Sequence, residues 1–289
     1  MRPLACPEPG RAYNRATMLV EFHKMQGAGN DFVVLDERAA PLGLTASQLA
    51  WLADRRRGVG CDQIILIGPG DEAADAAIRF YNSDGSEAGA CGNGTRCAAS
   101  LLAAETGRRD VRLRGPAGPL AAEMLEDGRV RVDMGAARLD WRDIPLSGPA
   151  DTLHLPLAGD PAACSMGNPH ATFFVDDLDT TDIAARGAAL EHDPLFPQAC
   201  NIGFAQMLGP RRLRLFVWER GAGLTLACGT GACAAAVNAH RRGLAARQCL
   251  VEMPGGRLEV AWREDGHVLL AGPSVLDFAG RILVSDTAR

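Results

Sequence analysis

The sequence predicts an α+β fold made of two pseudo-symmetric halves. Three observations carry this. First, one cysteine-glycine corner occurs twice, as "ACGNGTRCAA" at 90–99 and "ACGTGACAAA" at 227–236. Second, four markers repeat at nearly one spacing: Cys91 and Cys228 (228 − 91 = 137), Asn82 and Glu219 (219 − 82 = 137), Asn30 and Asn168 (168 − 30 = 138), Gln63 and Asn201 (201 − 63 = 138). Third, apolar runs of strand type alternate with helix-forming stretches in the same order in both halves. Chance recurrence of glycine-rich loops does not hold one offset across four markers.

Each half reads as strand, Gly-Asn turn, helix, strand, strand, Cys-Gly-x-Gly turn, helix. Met18 opens the strand-like "MLVEFHKM". Helices are expected at 45–57 and 180–192. "AIRFYNS" and "RLFVWER", apolar and aromatic runs bounded by turn residues, read as strands before each corner. The segment 94–107, "GTRCAASLLAAETG", is rich in helix formers and stops at Gly107. The segment 229–243 does the same, with Arg241 and Arg242 at the end where cations suit the helix dipole. Strands with glycine turns are expected through 110–146 and 247–287. The stretch "DMGAARLDWRDIPLSGPAD" is the natural link. The predicted division is a disordered extension at 1–17, a first domain at 18–134 plus 274–289, whose last strand crosses back, and a second domain at 135–273.

The chain has 289 residues, a net charge of −5, 47% hydrophobic and 22% charged residues, as in an ordinary globular protein. Nothing in this balance suggests nucleic acid or a membrane surface as partner, and no apolar run approaches the ~18–20 residues of a bilayer span. The nine cysteines are odd in number, and the first 17 residues lack the apolar core of a secretory leader. A reducing cytoplasm with free thiols is therefore expected. Cys6, Cys61, Cys97, Cys164, Cys200, Cys233 and Cys249 read as inert core residues. Spacings of Cys-x5-Cys and Cys-x4-Cys without a histidine pair argue against a metal site. The Gly-x-Gly turns follow cysteine and lack the Gly-Lys-Ser of a phosphate loop, so nucleotide is a weak reading. "DRRRG" at 54–58 reads as a solvated helix end.

The doubled corner carries the chemistry. A helix N-terminus has unpaired N–H groups and partial positive charge, and a glycine lead-in lets an anion approach it. The same end lowers a cysteine pKa, so thiolate is expected at neutral pH. Two such corners brought together allow one thiolate to take a proton from one face of a carbon while the opposite thiol protonates the other face. The helix dipoles would stabilise a carboxylate whose α-carbon becomes carbanion-like. That is racemisation or epimerisation without a cofactor. The pyridoxal route needs a lysine Schiff base. The chain has one lysine, Lys24, in a strand pattern with no phosphate loop nearby.

The motifs "KMQGAGNDF", "GVGCDQ", "YNSDGSEAGACGNGTRC", "GNPHA", "WERGAGLTLACGTGACAA" and "MPGG", in this order from Met18 to Val284, resemble the diaminopimelate epimerase family. The resemblance implies sheets each wrapped round a central helix, with the active site in the cleft between domains. It also implies interconversion of LL- and meso-diaminopimelate, on the route to lysine and peptidoglycan, without pyridoxal phosphate, metal or other cofactor. It makes Cys91 and Cys228 the acid/base pair, with Gly92, Asn93, Gly229 and Thr230 holding the reacting carboxylate. Asn30, Gln63, Asn82, Asn168, Asn201, Glu219 and Arg220 would form the substrate pocket, with His170 and Glu219 assisting the thiols. The implied partner is a small-molecule substrate, and a homodimer is left open. His170 read by itself could equally be a satisfied loop histidine. A proline or hydroxyproline racemase of the same broad fold, and a dithiol redox switch, remain the alternative readings.

Overall fold

In the computed structural model, residues 17–89 and 91–285 are described. Most of the expected extension at 1–17, Cys6 with it, and the end of 274–289 lie outside them. The first half runs β1 (Thr17–Gly27), β2 (Asn30–Asp36), α1 (Ala46–Ala53), β3 (Gln63–Pro69), β4 (Ala76–Asn82), β5 (Glu87–Ala88), α2 (Gly92–Thr106), β6 (Asp110–Gly115), β7 (Gly118–Met124) and β8 (Val130–Ala136). The second runs β9 (Ala162–Ser165), β10 (Pro169–Phe174), α3 (Ile183–Glu191), β11 (Asn201–Gly209), β12 (Arg212–Glu219), β13 (Gly223–Thr225), α4 (Gly229–Arg241), β14 (Gln248–Met253), β15 (Gly256–Trp262) and β16 (His267–Gly272), and β17 (Val275–Ser285) ends the chain.

The duplication extends to strand pairing. β2 runs parallel to β3, β3 antiparallel to β4, β4 parallel to β6, and β6–β7–β8 form a meander. β10, β11, β12, β14, β15 and β16 repeat these pairings in order. Even the register carries over: Phe32 faces Gln63, and 138 residues on His170 faces Asn201. The halves join where β8 pairs with β16. β17 leaves the second half and pairs with β1 along nearly its whole length. The first half returns a shorter version of this exchange, a single bridge from Arg138 to Ser165 beside β9.

Why a sheet curls around one helix follows from the apolar pattern. β2 and β3 are apolar on both faces, as parallel strands covered on both sides are. Side chains alternate across the sheet, so Phe32, Val34, Ile65 and Ile67 pack against α2, while Val33, Leu35, Ile64 and Leu66 pack against α1. In the second half α4 presents Ala232, Cys233 and Ala236 to its sheet, and α3 packs with Phe173, Ile202 and Phe204 on the other face. The alanine-rich helices suit this place, because small side chains let a strongly curved sheet close round them. Each fully buried leucine or phenylalanine contributes about 1.5–3 kcal/mol.

The four helices form where expected, with different ends. α1 stops at Ala53 rather than 57, because Asp54 turns extended and its carboxylate accepts the Arg56 and Arg57 N–H groups. α2 begins at Gly92, two residues early, because Cys91 itself is the cap. Strand structure was expected through 146 but ends at Ala136. Pro145, Pro149, Pro156 and Pro161 cannot donate to a ladder, and the segment is turns that bury Ile144, Leu146 and Leu155.

Candidate active site

The two corners are built alike. Cys91 and Cys228 are the N-caps of α2 and α4, both in extended backbone. The Gly94 N–H donates to Cys91 Sγ at 3.3 Å, and the Gly231 N–H to Cys228 Sγ at 3.4 Å. A thiol thus occupies the place usually taken by a serine, threonine or aspartate cap. Glycine is required around it. A Cβ on Gly94 would lie 2.8 Å from the Phe80 ring, and one on Gly231 2.9 Å from Val217. A Cβ on Gly229 would lie 3.1 Å from Leu270 and 3.7 Å from the Gly92 Cα, so the two helix N-termini abut.

The corners open on a cavity of about 870 Å3. Asn30, Gln63, Asn82, Cys91, Gly92 and Asn93 line it from the first half, and Asn168, Glu219, Arg220, Cys228, Gly229 and Thr230 from the second. Gln63 Nε2 donates to Asn82 Oδ1 at 3.1 Å, and Asn82 Nδ2 to Ser86 Oγ at 3.1 Å. Gln63 Oε1 is left buried with no donor, an open acceptor in the wall of a cavity. Across from it Glu219 accepts from Thr225 Oγ1 at 2.5 Å. The cavity wall therefore offers amide donors and a guanidinium for a carboxylate, and a carboxylate and a free carbonyl for an ammonium.

The thiols are not the thiolates expected from the helix dipole. Burial pushes Cys91 up to about 12, against the opposing pull of the Gly94 N–H. Burial likewise raises Cys228 well above its usual value, and the negative charge of Glu219 adds to it. Both are neutral thiols at neutral pH in this state, because one N–H and a helix terminus do not offset desolvation in a deep cleft. Cys228 sits 3.5 Å from Thr230 Oγ1, which lies 3.0 Å from His170 Nε2. Burial lowers His170 to about 3, so this imidazole is neutral.

A family model for diaminopimelate epimerase matches residues 22–139 and 162–276. The chain is 63% identical over 265 residues to the diaminopimelate epimerase of Acidiphilium cryptum, covering 90% of this chain and 95% of that one. It is 55% identical to that of Gluconobacter oxydans, covering 91% and 99%. The chain belongs to the diaminopimelate epimerase family. The family match falls as two blocks, one on each half. More distant solved structures share the fold: a predicted epimerase from Pseudomonas aeruginosa (20% identity, TM-score 0.67, covering 92% and 100%) and a hydroxyproline epimerase from Agrobacterium vitis (16% identity, TM-score 0.67, covering 95% and 94%).

Of the residues singled out in the sequence, His170 and Asn201 do not line the cavity. His170 stands behind Thr230 and Asn168, bonding both. Asn201 is fully occupied, donating to Pro169 O at 2.8 Å and accepting from the Arg220 N–H at 3.0 Å. It holds the backbone that carries Arg220 rather than facing the space. The structure also adds residues the sequence did not flag. Asp62, Asp84, Leu224 and Leu226 line the cavity. Arg55 of "DRRRG" is no free helix end: it donates to Asp31 and, at 2.7 Å, to Asp62. Asp31 and Asp62 accept each other's backbone N–H groups, locking together the turns that carry Asn30 and Gln63. Burial raises Asp31, but Arg55 and Lys24 overcome it and hold its carboxyl far below the usual range. Asp62 stands in "GVGCDQ" but has no like residue in the other half, where its duplicate, at offset 138, is Cys200. Among the described residues no three His, Cys, Asp or Glu side chains group as metal ligands, and no helix is long and apolar enough to cross a membrane.

Proposed function

We propose that this chain interconverts LL- and meso-diaminopimelate by two-thiol proton transfer at one α-carbon. The single observation that carries the reading is the pair of cysteine-capped helix N-termini abutting at one cavity. The reacting carboxylate lies against the first-turn N–H groups at Gly92–Asn93 and Gly229–Thr230, which have no intrahelical partner. The distal zwitterion is held by the amides of Asn30, Asn82 and Asn168, by Arg220, and by Gln63, whose buried Oε1 lacks a donor. Glu219 faces the Cys228 thiol and takes its proton, leaving a thiolate beside the Gly231 N–H. A thiolate then takes the α-hydrogen: the C–H bond breaks, an S–H bond forms, and the electron pair stays as a carbanion stabilised by both helix ends. The opposite thiol gives its proton to the other face, which inverts the centre. No electron acceptor, metal or Schiff base enters this balance. His170 and Asn201 act from behind, through Thr230 and Arg220. We place the site between a first domain at 18–134 plus 274–289 and a second at 135–273. The pairing of β17 with β1 supports that division. All eight cysteines among the described residues are free thiols, which supports a cytoplasmic setting.

The test is purified protein under reducing conditions in deuterated water. LL-diaminopimelate should become meso-diaminopimelate with deuterium at the inverted carbon, while D- and L-proline stay unlabelled. An unexchanged α-proton would refute the reading, and exchange into proline instead would turn it toward the racemase alternative.

A further inference from the structure

One side chain in the catalytic helix breaks the ordinary rules of helix and core. Arg96, in the second turn of α2, is 0% exposed and is the largest fully buried side chain among the described residues. Its recorded partners are uncharged: Asn93 Oδ1 at 2.8 Å, Pro273 O at 3.3 Å and Gly92 O at 3.5 Å. Burial lowers its pKa, and only the thiols of Cys97, Cys91 and Cys233 oppose that. A buried guanidinium without a carboxylate is costly, and a cation near a helix N-terminus opposes the dipole. The fold nevertheless sets a glycine against it. A Cβ on Gly272 would lie 3.1 Å from both Arg96 Cζ and Nε. The duplicate of Arg96 at offset 137 is Cys233, neutral and equally buried. The charge therefore occurs once at a site where nearly everything else occurs twice.

We propose that Arg96 is a positioning residue for the proton transfer: its guanidinium fixes the Asn93 amide and supplies the buried positive charge against which the substrate carboxylate binds and Cys91 ionises. The amide orientation is forced. Arginine has only donors, so Asn93 must turn its oxygen to Arg96, and its Nδ2 donor is what remains for the cavity that Asn93 lines. The missing counter-ion of Arg96 is then the bound carboxylate or the thiolate itself. Charged and titratable groups around Cys91 are Cys97 on its own helix, Glu219 from β12 and Arg96, and of these only Arg96 favours the thiolate.

This rests on the proposed epimerisation, so the experiment has one arm without substrate. In the Cys228→Ser background, Cys91 is alkylated with iodoacetamide at pH 8 and followed by mass spectrometry, with and without Arg96→Met. Losing a nearby cation raises a thiol pKa by about one unit. That lowers the thiolate fraction about tenfold, while its nucleophilicity rises about threefold, so alkylation should slow about threefold. With Cys228 intact, Arg96→Met should lose about tenfold or more in kcat/KM and move the alkaline pH limb upward by about one unit. Arg96→Lys keeps the charge but not the fork, and should keep the limb while raising KM. Unchanged alkylation in Arg96→Met, or an Arg96→Lys enzyme with wild-type KM, would overturn the proposal. A lowered melting temperature with unmoved pH limb and alkylation would show a merely structural arginine and overturn it too. Slowed alkylation in a protein whose parent does not turn over diaminopimelate would sink the proposed reaction and uphold the effect of Arg96 on Cys91.

Discussion

Gly255 should be intolerant of a single methyl group, and the reason is measurable. It lies in the turn between β14 and β15, against the loop that delivers Asn30 to the cavity. A Cβ there would lie 2.4 Å from Ala28 O, 2.9 Å from the Gly29 Cα and 3.0 Å from Ala28 C. All three are backbone atoms, so no rotamer change relieves the clash. Ordinary contact begins near 3.4 Å, so the loop must retreat by about 1 Å (3.4 − 2.4). It resists: Ala28 and Gly29 are both at positive φ, and Asp31 is tied to Asp62, Arg55 and Lys24. Overpacking of this kind costs about 1–3 kcal/mol, which lowers the melting temperature by about 2–4 °C per kcal/mol in a chain of this size class. A displacement of about 1 Å in a substrate-positioning group costs about 10²-fold. Gly255→Ala should therefore lose kcat/KM far out of proportion to its stability. Gly128→Ala is the control. Gly128 has positive φ, at 82°, and nothing within 4 Å of an added Cβ, so Gly128→Ala should lose only the backbone cost of about 1–2 kcal/mol and keep its activity. Steady-state kinetics and thermal unfolding on the same samples decide it. Wild-type kcat/KM in Gly255→Ala would refute the argument.

Three further outcomes follow from the site and its surroundings. Cys91→Ala and Cys228→Ala should each lower epimerisation by at least about 10³-fold, because each direction needs both a base and an acid, and substantial turnover in either would contradict the two-thiol scheme. Gln63→Met should raise KM for diaminopimelate about tenfold with a smaller change in kcat, since it removes the buried acceptor left open for the distal ammonium, and an unchanged KM would remove Gln63 from the pocket. The third concerns pH. Burial pushes Cys61 and Cys164 up to about 12, Cys97 and Cys249 up to about 11, and Cys200 and Cys233 higher. Unfolded thiols ionise near 8.5. Above that pH the unfolded chain holds fewer protons than the folded one, so stability falls as pH rises, by up to about 1.4 kcal/mol per unit for each thiol. The urea midpoint should collapse between about pH 9 and 10, and a midpoint flat to pH 10.5 would show these thiols ionising in the folded state.

The duplication was legible because the chemistry repeats the same residues, and strand registers cannot drift far between elements of fixed length. The helices were legible from composition. Their ends were not, since a cysteine is rarely counted as a cap and Asp54 ends α1 through its side chain. Within the site, the sequence reading grouped most of the polar residues that line the cavity. It missed the ionisation of the thiols, because the N-terminal dipole is a local property and the burial that outweighs it comes from the sheet packed round each helix. From the family motifs it took Asn201 for a pocket residue and His170 for a support to the thiols; the hydrogen bonds of Asn201 point into the scaffold, and His170 reaches the site only through Thr230 and Asn168. Asp62, Arg96 and Gly255 stand inside the motifs "GVGCDQ", "YNSDGSEAGACGNGTRC" and "MPGG" but carry no role there. Their duplicates are Cys200, Cys233 and Ala117, so a search for likeness passes over them.

Those three positions, with Asn82 opposite Glu219, indicate how a symmetric fold serves an asymmetric ligand. Inverting one carbon calls for two thiols on opposite faces of it, and two like-capped helices that abut at one cavity suit that arrangement. The substrate has a reacting end and a distal end, and binding it in one pose requires the two halves to differ. Each difference breaks a local rule in one half only: a buried arginine without a counter-ion, a carboxylate beside a thiol, a glycine where the other half has alanine. Alanine is tolerated at 117 because the loop it would face carries Gly167, where an added Cβ would have nothing within 4 Å, whereas a Cβ on Gly29 would lie 2.5 Å from the Gly255 Cα. The contact is tight only where it seats Asn30. In the proposed reaction the thiols and their glycines carry the chemistry, and the unmatched residues select what is held against them. Making the halves more alike, as Gly255→Ala does, should cost recognition before it costs the fold.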